Sequence, residues 1–293
     1  MRPMKRLVAV ALLILAVACT SAPSSHSSQP TAYIQNKGSD TIVNLALAWA
    51  EQYQQEHPNV SISVTGGGSG TGIAALINGT VDIANASRQI SPDETSQAQA
   101  KGFKPTEFVI ARDAIAVIVN PQNPVSRLTL QQISDLYSGK LTNWKQLGGS
   151  DRPIVRLSRE TNSGTHVYFL DTVIRLGRKD DKTLFSMDTL LLPSSEGIVA
   201  ELRDNPNAIG YDGLGYVPTD GSVKVLAVAK DAGSPYILPS VATVNSGAYP
   251  VARDLYMYTA GDPKGVAKDY LDWIRNSAEA QGIVQKQGFV PIK

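Results

Sequence analysis

Hydrophobic and polar positions repeat with two periods along most of the chain, and each change of period marks an element boundary. TAYIQNKGSD (31–40) begins as a short strand and ends in a polar loop. TIVNLALAWAEQYQQEH (41–57) then places apolar residues at 42, 43, 45, 46, 49, 50 and 53, the spacing of one helix face, with Pro58 just past its end. VSISV (60–64) alternates as a strand, a glycine run interrupts it, and IAALING (73–79) reads as a short helix stopped by Gly79. VDIANAS (81–87) is another strand, and SPDETSQAQAK (91–101) is a helix opened by the Ser91–Pro92 cap pair.

Residues 107–119, EFVIARDAIAVIV, form a longer β-rich run with Arg112 and Asp113 at its centre. A strand of that length with a polar break suits a crossing between two lobes. Further on, LTLQQISDLYSG (128–139) is a helix with a cap and a glycine stop, PIVRLSRE (153–160) a strand, and SGTHVYFLDTVIRLG (163–177) an amphipathic helix. SVKVLAVA (222–229) and LYMYTA (255–260) are later strands, and 266–288 closes the chain with helical patterning. Strands alternating with helices, and no repeat, predict a mostly parallel α/β architecture.

Composition narrows the class. The 293 residues are enough for two lobes, and 42% hydrophobic with 18% charged is a globular balance. A formal net charge of +1 excludes a general basic surface for nucleic acid. The first residues stand apart: MRPMKR is basic, and LVAVALLILAVA (7–18) is an apolar run too short to span a bilayer. With its small-residue A-V-A ending, 1–18 reads as a secretory signal. Cys19, the single cysteine, follows directly and has no internal partner for a disulfide. It is expected to be the lipidated N-terminus of a bacterial lipoprotein, with ordinary signal cleavage at the same site as the alternative. TSAPSSHSSQP (20–30) is a Ser/Pro-rich tether suited to an anchored domain, so 19–30 forms a linker after the lipidated cysteine.

Three loops share one chemistry. GSDT (38–41), GGGSGTG (66–72) and NSGT (162–165) each follow a predicted strand, carry glycine and hydroxyl residues, and open a helix. The first turn of a helix has unpaired N–H groups and a partial positive charge, and glycine lets that backbone come close to a ligand. One such loop is an ordinary cap; three converging make a donor-rich cage for a small anion. Arg159, four residues before Ser163, and Arg88, after the strand VDIANAS, stand where a cation would strengthen it.

Enzymatic readings find less support. GGGSGTG fits G-x-G-x-x-G in no register, no phosphate-loop motif ending in Gly-Lys-Ser/Thr exists, and no G-x-S-x-G elbow surrounds Ser69 or Ser163. His26, His57 and His166 show no metal-ligand spacing, and His166 is expected on a helix surface rather than as a base. No cofactor and no metal are expected. A secreted phosphatase or esterase using Ser69 or Ser163 stays as the rival of a different class.

These loops, GSDT, GGGSGTGIAALINGTVDIANASR and RETNSGT, resemble those of the phosphate-binding proteins of bacterial phosphate ABC transporters. LTLQQISDLYSGKLTNW, AIGYDGLGYV and AQGIVQKQGFVPI resemble them too, so the similarity runs from about 33 to 293. The resemblance implies a two-lobed type II periplasmic-binding-protein fold, α/β in class, whose lobes close over an anion through crossing strands. It implies one lobe of 31–112 plus 248–293 and another of 113–247. It places phosphate contacts on Ser163, Gly164 and Thr165 with Arg159 as the cation, on Ser39, Asp40 and Thr41, on Ser69, and on Ser87 with Arg88. The implied function is capture of inorganic phosphate by a monomeric lipoprotein outside the cytoplasmic membrane, lipid-anchored or periplasmic. Delivery would be to the permease and ATPase subunits of an ABC transporter, without catalysis.

Two positions depart from the family. Many members have aspartate where this chain has Arg88, and that carboxylate accepts the proton of bound phosphate, which sulfate lacks. Asp40 is the nearby substitute acceptor, which argues against sulfate or molybdate as ligand, with another oxyanion such as arsenate also open. Some relatives also carry Asp where Thr161 stands, which leaves the partner that orients Arg159 unidentified.

Overall fold

A computed structural model describes residues 30–292, so the signal segment, Cys19 and the tether up to residue 29 lie outside the described residues. The chain runs β1 (Ala32–Gly38), α1 (Asp40–Glu56), β2 (Val60–Thr65), α2 (Ser69–Ile77), β3 (Ile83–Ala86), α3 (Pro92–Ala100) and β4 (Pro105–Val119). It continues with β5 (Arg127–Thr129), α4 (Leu130–Tyr137), β6 (Val155–Arg159), α5 (Gly164–Phe169), β7 (Leu190–Leu192), α6 (Ser195–Asp204) and β8 (Ala208–Gly213). The last part holds β9 (Lys224–Val225), β10 (Ala227–Ala229), α7 (Val241–Asn245), β11 (Ala252–Ala260), α8 (Gly265–Asn276) and α9 (Ala278–Lys286).

The main sheet has the order β2-β1-β3-β11-β4-β8-β6-β7, with β9 also on β4 and β10 pairing β5 apart. It is mixed rather than mostly parallel. β1 runs parallel to β2 and β3, and β6 parallel to β8 and β7. The antiparallel pairs all involve β4 or β11, the strands that cross between lobes instead of returning through a helix. β4 pairs with β11 from Pro105 to Ala114 and with β8 from Ile115 to Val119, so one strand belongs to the sheets of both lobes.

Each lobe has its own core. In the first, α1 buries Ile42, Leu45, Ala46, Trp49, Ala50 and Tyr53, the face its spacing predicts, against Ile34, Met257, Tyr270 and Val284. Trp49 Nε1 donates to Ala280 O at 2.8 Å, which fastens α1 to the last helix and satisfies the buried indole. In the second lobe Tyr137, Trp144, Phe169 and Tyr211 gather on the sheet, with the Phe169 and Tyr211 rings stacked at 3.6 Å.

Local signals were read closely but not completely. Capping boxes open α3 (Ser91 with Glu94) and α4 (Thr129 with Gln132). The closing segment is two helices, because the Ser277 hydroxyl accepts from the N–H groups of Glu279 and Ala280 and restarts the helix there. The helix expected over 163–177 is α-helical only to Phe169 and widens into a π turn over Leu170–Ile174. The strand expected over 222–229 is split between β9 and β10, which pair with different partners.

α2 begins at Ser69, so the glycine run is its entry and first turn rather than a break before it. There Gly72 lies against β1: a Cβ on it would sit 2.4 Å from Lys37 O and 2.5 Å from the Gly38 Cα. Both obstacles are backbone, so Gly72→Ala is expected to cost about 1–3 kcal/mol by overpacking, read as a lower urea midpoint at unchanged m-value.

Candidate functional site

β1, β2 and β3 are parallel, and their carboxyl ends face the same way. β1 leads through α1 to β2 on one side, while β2 leads through α2 to β3 on the other. The crevice at such a reversal is where open α/β sheets bind ligands. Gly38 ends β1, and Ser39 N donates to Asn85 O of β3 at 2.9 Å, which pins the start of α1 over the sheet edge. Gly68, at φ +92°, donates its N–H to Gly38 O at 2.9 Å and brings the start of α2 beside the start of α1. The third loop arrives from the second lobe: Arg159 ends β6, and Ser163 caps α5, its hydroxyl accepting from His166 N.

The hydroxyls expected at the site do converge. Ser39 Oγ donates to Ser87 Oγ at 2.9 Å, and Ser69 Oγ lies 3.3 Å from Ser87 Oγ while accepting from Ser87 N at 3.0 Å. Thr41 Oγ1 and Thr165 Oγ1 are 2.8 Å apart across the lobes. Gly164 faces the first group so closely that a Cβ on it would be 2.3 Å from Ser69 Oγ and 2.6 Å from Ser87 Oγ. Ser39, Thr41, Ser69, Ser87, Ser163 and Thr165 are all buried. Ser39 makes no cap to its own helix, so its hydroxyl serves this cluster instead.

Arg159 is the cation at the centre. Its Nη2 pairs with Asp40 Oδ2 at 2.8 Å and donates to Pro193 O at 2.9 Å; Nη1 donates to Ser195 Oγ at 2.8 Å and Nε to Leu192 O at 3.3 Å. Asp40 Oδ1 accepts from Gly67 N at 2.9 Å, so both of its carboxylate oxygens are engaged. The Asp40 carbonyl in turn accepts from Tyr216 OH at 2.6 Å. Asp40 thus braces the glycine loop and links the lobes, and it supplies part of the orientation of Arg159 that Thr161 cannot.

Arg88 stands differently from the others. It makes a two-pronged pair with Glu94, Nη1 to Oε2 at 2.8 Å and Nη2 to Oε1 at 2.7 Å, at the start of α3. Its charge is spent on the helix entry, and it lies at the rim of the hydroxyl cluster. His166 is buried, not on a helix surface: Nδ1 lies 3.1 Å from Ser158 Oγ and the ring stacks on Phe185 at 4.5 Å. Burial lowers its pKa, which favours the neutral ring.

Three groups were not foreseen as site residues. Arg253 of β11 is buried; its Nη2 donates to Thr165 Oγ1 at 2.9 Å and Nη1 to Ser87 O at 2.8 Å. Its partner is Asp113, the polar break in β4, at 2.9 Å. Burial raises the pKa of Asp113, and the Arg253 guanidinium opposes that rise. Asp212, at the end of β8, is fully buried; Oδ1 accepts from Ser195 Oγ at 3.0 Å and from Gly213 N at 2.7 Å. Burial pushes its carboxyl up to about 6, with Arg159 pulling the other way. A charged residue inside an apolar run was the available signal for Asp113; AIGYDGLGYV carried a similar one for Asp212.

Two lobes thus meet through hydroxyls, helix N-termini and two buried guanidiniums, an arrangement whose chemistry suits a small oxyanion. A family profile described as PBP superfamily domain (PBP_like_2) matches residues 23–278. The phosphate-binding protein PstS of Pseudomonas aeruginosa strain PAO1 is 31% identical over 276 residues, 88% of this chain and 83% of that protein. This chain belongs to the PstS phosphate-binding protein family. PstS of Bacillus subtilis strain 168 is 29% identical over 98% of this chain and 92% of its own length. Among solved structures, a putative phosphate ABC transporter substrate-binding protein from Clostridium perfringens, with bound phosphate, superposes with a TM-score of 0.78 at 32% identity. That match covers 89% of this chain and 100% of the other. A phosphate transport receptor of ABC type from Vibrio cholerae superposes with a TM-score of 0.69 at 28% identity, covering 88% and 99%. The family carries the two-lobed periplasmic-binding-protein fold.

Among the described residues no group of histidine, cysteine and carboxylate side chains is arranged to hold a metal, and no helix is long and apolar enough to cross a membrane. The closeness of Gly164 to Ser69 and Ser87 gives a test. Gly164→Ala puts a methyl among those hydroxyls and is expected to hold the lobes apart. Small-angle scattering should show a larger radius of gyration in phosphate for the variant than for the wild type, at unchanged far-ultraviolet circular dichroism.

Proposed function

We propose that this protein captures inorganic phosphate between its lobes and delivers it to an ABC permease. The observation that carries the reading is the meeting of three helix starts from two lobes at one cluster of hydroxyls, with Arg159 bonded to both lobes beside it. Oriented dipoles and a guanidinium of that kind suit a tetrahedral oxyanion and require no covalent step. The bound phosphate named for the structurally similar C. perfringens protein supports phosphate as the ion. The ligand contacts we assign are Ser39, Asp40, Thr41, Ser69, Ser87, Ser163, Gly164, Thr165 and Arg159, with Arg88 at the rim. Four of the five N–H donors of Arg159 are hydrogen-bonded to protein, so one donor on Nη1 is available to an anion.

The lobe division we assign follows β4: 31–112 with 248–293 on one side, 113–247 on the other. Capture then proceeds by closure about β4 and β11, and the transporter reads the closed form. Calorimetric titration with phosphate, sulfate and molybdate, together with a turnover assay on a phosphomonoester, tests the reading. Stoichiometric binding of phosphate without turnover is expected; turnover, or preference for sulfate or molybdate, would overturn it. Arg159→Ala should weaken phosphate binding at least about tenfold, the scale of one charge-assisted hydrogen bond.

We further propose that the protein acts as a monomer, held at the outer face of the cell membrane by a lipid on Cys19. Its partners would be the permease and ATPase subunits of the transporter. Mass spectrometry of the protein from its native membrane should find the chain starting at Cys19 with diacylglyceryl and acyl mass added. An unmodified Cys19 would remove the anchor and leave the ligand reading intact.

A further inference from the structure

The charge of the site does not balance. Two guanidiniums, Arg159 and Arg253, stand among three carboxylates, Asp40, Asp113 and Asp212, before any anion arrives. Arg88 adds nothing to the balance, because Glu94 neutralises it. A site for an anion thus carries an excess negative charge, with Asp113 and Asp212 fully buried and Asp40 partly so. Burying an uncompensated carboxylate is costly unless a proton or a partner relieves it.

The three carboxylates are not equally provided for. Asp40 uses one oxygen for Arg159 and the other for Gly67 N. Asp113 uses Oδ2 for Arg253 and Oδ1 for Leu214 N. Asp212 spends both of its hydrogen bonds on Oδ1, and its Oδ2 is a buried oxygen that no donor reaches among the described residues. Arg159 Nη1 is 3.7 Å from that oxygen, close enough for attraction and too far for a hydrogen bond. Ser195 stands between them, accepting from Arg159 Nη1 and donating to Asp212 Oδ1.

We propose that Asp212 is a positioning residue of the phosphate site: through Ser195 it sets the pose of Arg159, and its open oxygen takes a proton from solvent when the anion binds. This rests on the phosphate reading above. Ionised Asp212 holds Arg159 by attraction but opposes an incoming anion. Protonated, it no longer opposes the anion and still accepts from Ser195.

The groups facing Asp212 from neighbouring elements pull in both directions. Arg159 on β6 and Arg253 on β11 favour its charged form, as do the Ser195 hydroxyl at the start of α6 and the Gly213 N–H. Asp113 on β4 lies across Gly213, Tyr216 and Glu196 stand beyond it, and Asp40 on α1 reaches the same guanidinium. Burial outweighs the cations and holds the carboxyl near 6. A bound anion adds negative charge, so the proton affinity of Asp212 must rise on binding. By linkage, phosphate then binds more weakly as pH climbs above that value.

The test is calorimetry of the purified protein with inorganic phosphate at about pH 8, in two buffers of different ionisation enthalpy, which counts protons taken up. Wild type is expected to take up more protons per phosphate than Asp212→Asn, by as much as one. Over about pH 6–8 its affinity should fall more steeply than that of D212N, by up to tenfold per pH unit. D212N should still bind, whereas loss of a purely structural group would weaken binding equally at every pH. Ser195→Ala should weaken binding and keep the proton uptake. A carbon-13 carboxyl titration of the wild type supplies the second readout, with a midpoint near 6 that moves upward on adding phosphate. Equal proton uptake by wild type and D212N, or no carboxyl that moves with phosphate, overturns the proposal while phosphate binding itself stands. Absence of any phosphate binding by the wild type overturns the functional reading and this proposal with it.

Discussion

Arg159 leaves only 1% of its side chain exposed, and a guanidinium at that depth has to be matched donor by donor. The arrangement around it follows from that demand. Carbonyls of Leu192 and Pro193 take two donors, which fixes the segment from β7 into α6. Ser195 takes a third and ties Asp212 to the same group, while Asp40 takes a fourth from the opposite lobe. The cation that suits the ligand is therefore also the joint between lobes. Arg253 does the same work nearer the crossing strands, bonded to Asp113 of β4, to the Ser87 carbonyl and to Thr165.

This coupling gives the proposed closure a definite chemical content. Thr41 meets Thr165, Gly70 N donates to Asn162 O at 3.0 Å, and the Asn162 amide reaches Gly67 O and Thr71 Oγ1. Every one of these contacts joins a residue at the start of one helix to a residue at or beside the start of another. The groups that would hold an anion and the groups that hold the lobes are the same loops. On the proposed reading, ligand affinity and domain geometry are one quantity seen from two sides.

What could be read from the sequence was what is local. A glycine and hydroxyl loop after a strand announces a helix start within a few residues, so Ser39, Ser69, Ser163 and Thr165 were visible, and Arg159 lay four positions before Ser163. The cap at Ser91 and the buried face of α1 were visible for the same reason. Arg253 was not, because its meaning comes from Asp113, 140 residues away. Asp113 itself showed as a charge inside an apolar run, without a partner to name. The pairing of Arg88 was not visible, because nothing in its neighbourhood says that Glu94, six residues on, would turn back to meet it. His166 looked exposed because the aromatic cluster that covers it includes Phe185, from a segment with no periodic pattern. The sheet was expected to be mostly parallel because helices usually separate the strands; β4 and β11 break that rule by running between lobes.

The position of β11 also decides when the first lobe can form. β11 lies between β3 and β4, and Trp49 of the first helix bonds to Ala280 of the last. A chain growing from its N-terminus has β1 to β4 long before β11, with the facing edges of β3 and β4 unpaired until residue 260 exists. The strands β6, β7 and β8, with the second half of β4, come from one uninterrupted stretch and pair with one another, while Tyr249, Val251 and Val290 complete the core beneath them later. The strand pairing of the second lobe can therefore form first, while its core, like the split lobe, is completed by the last part of the chain. During that interval two open strand edges are the part of the molecule most exposed to mispairing with another chain. The crossing between lobes is thus finished, in synthesis, by the strand placed last.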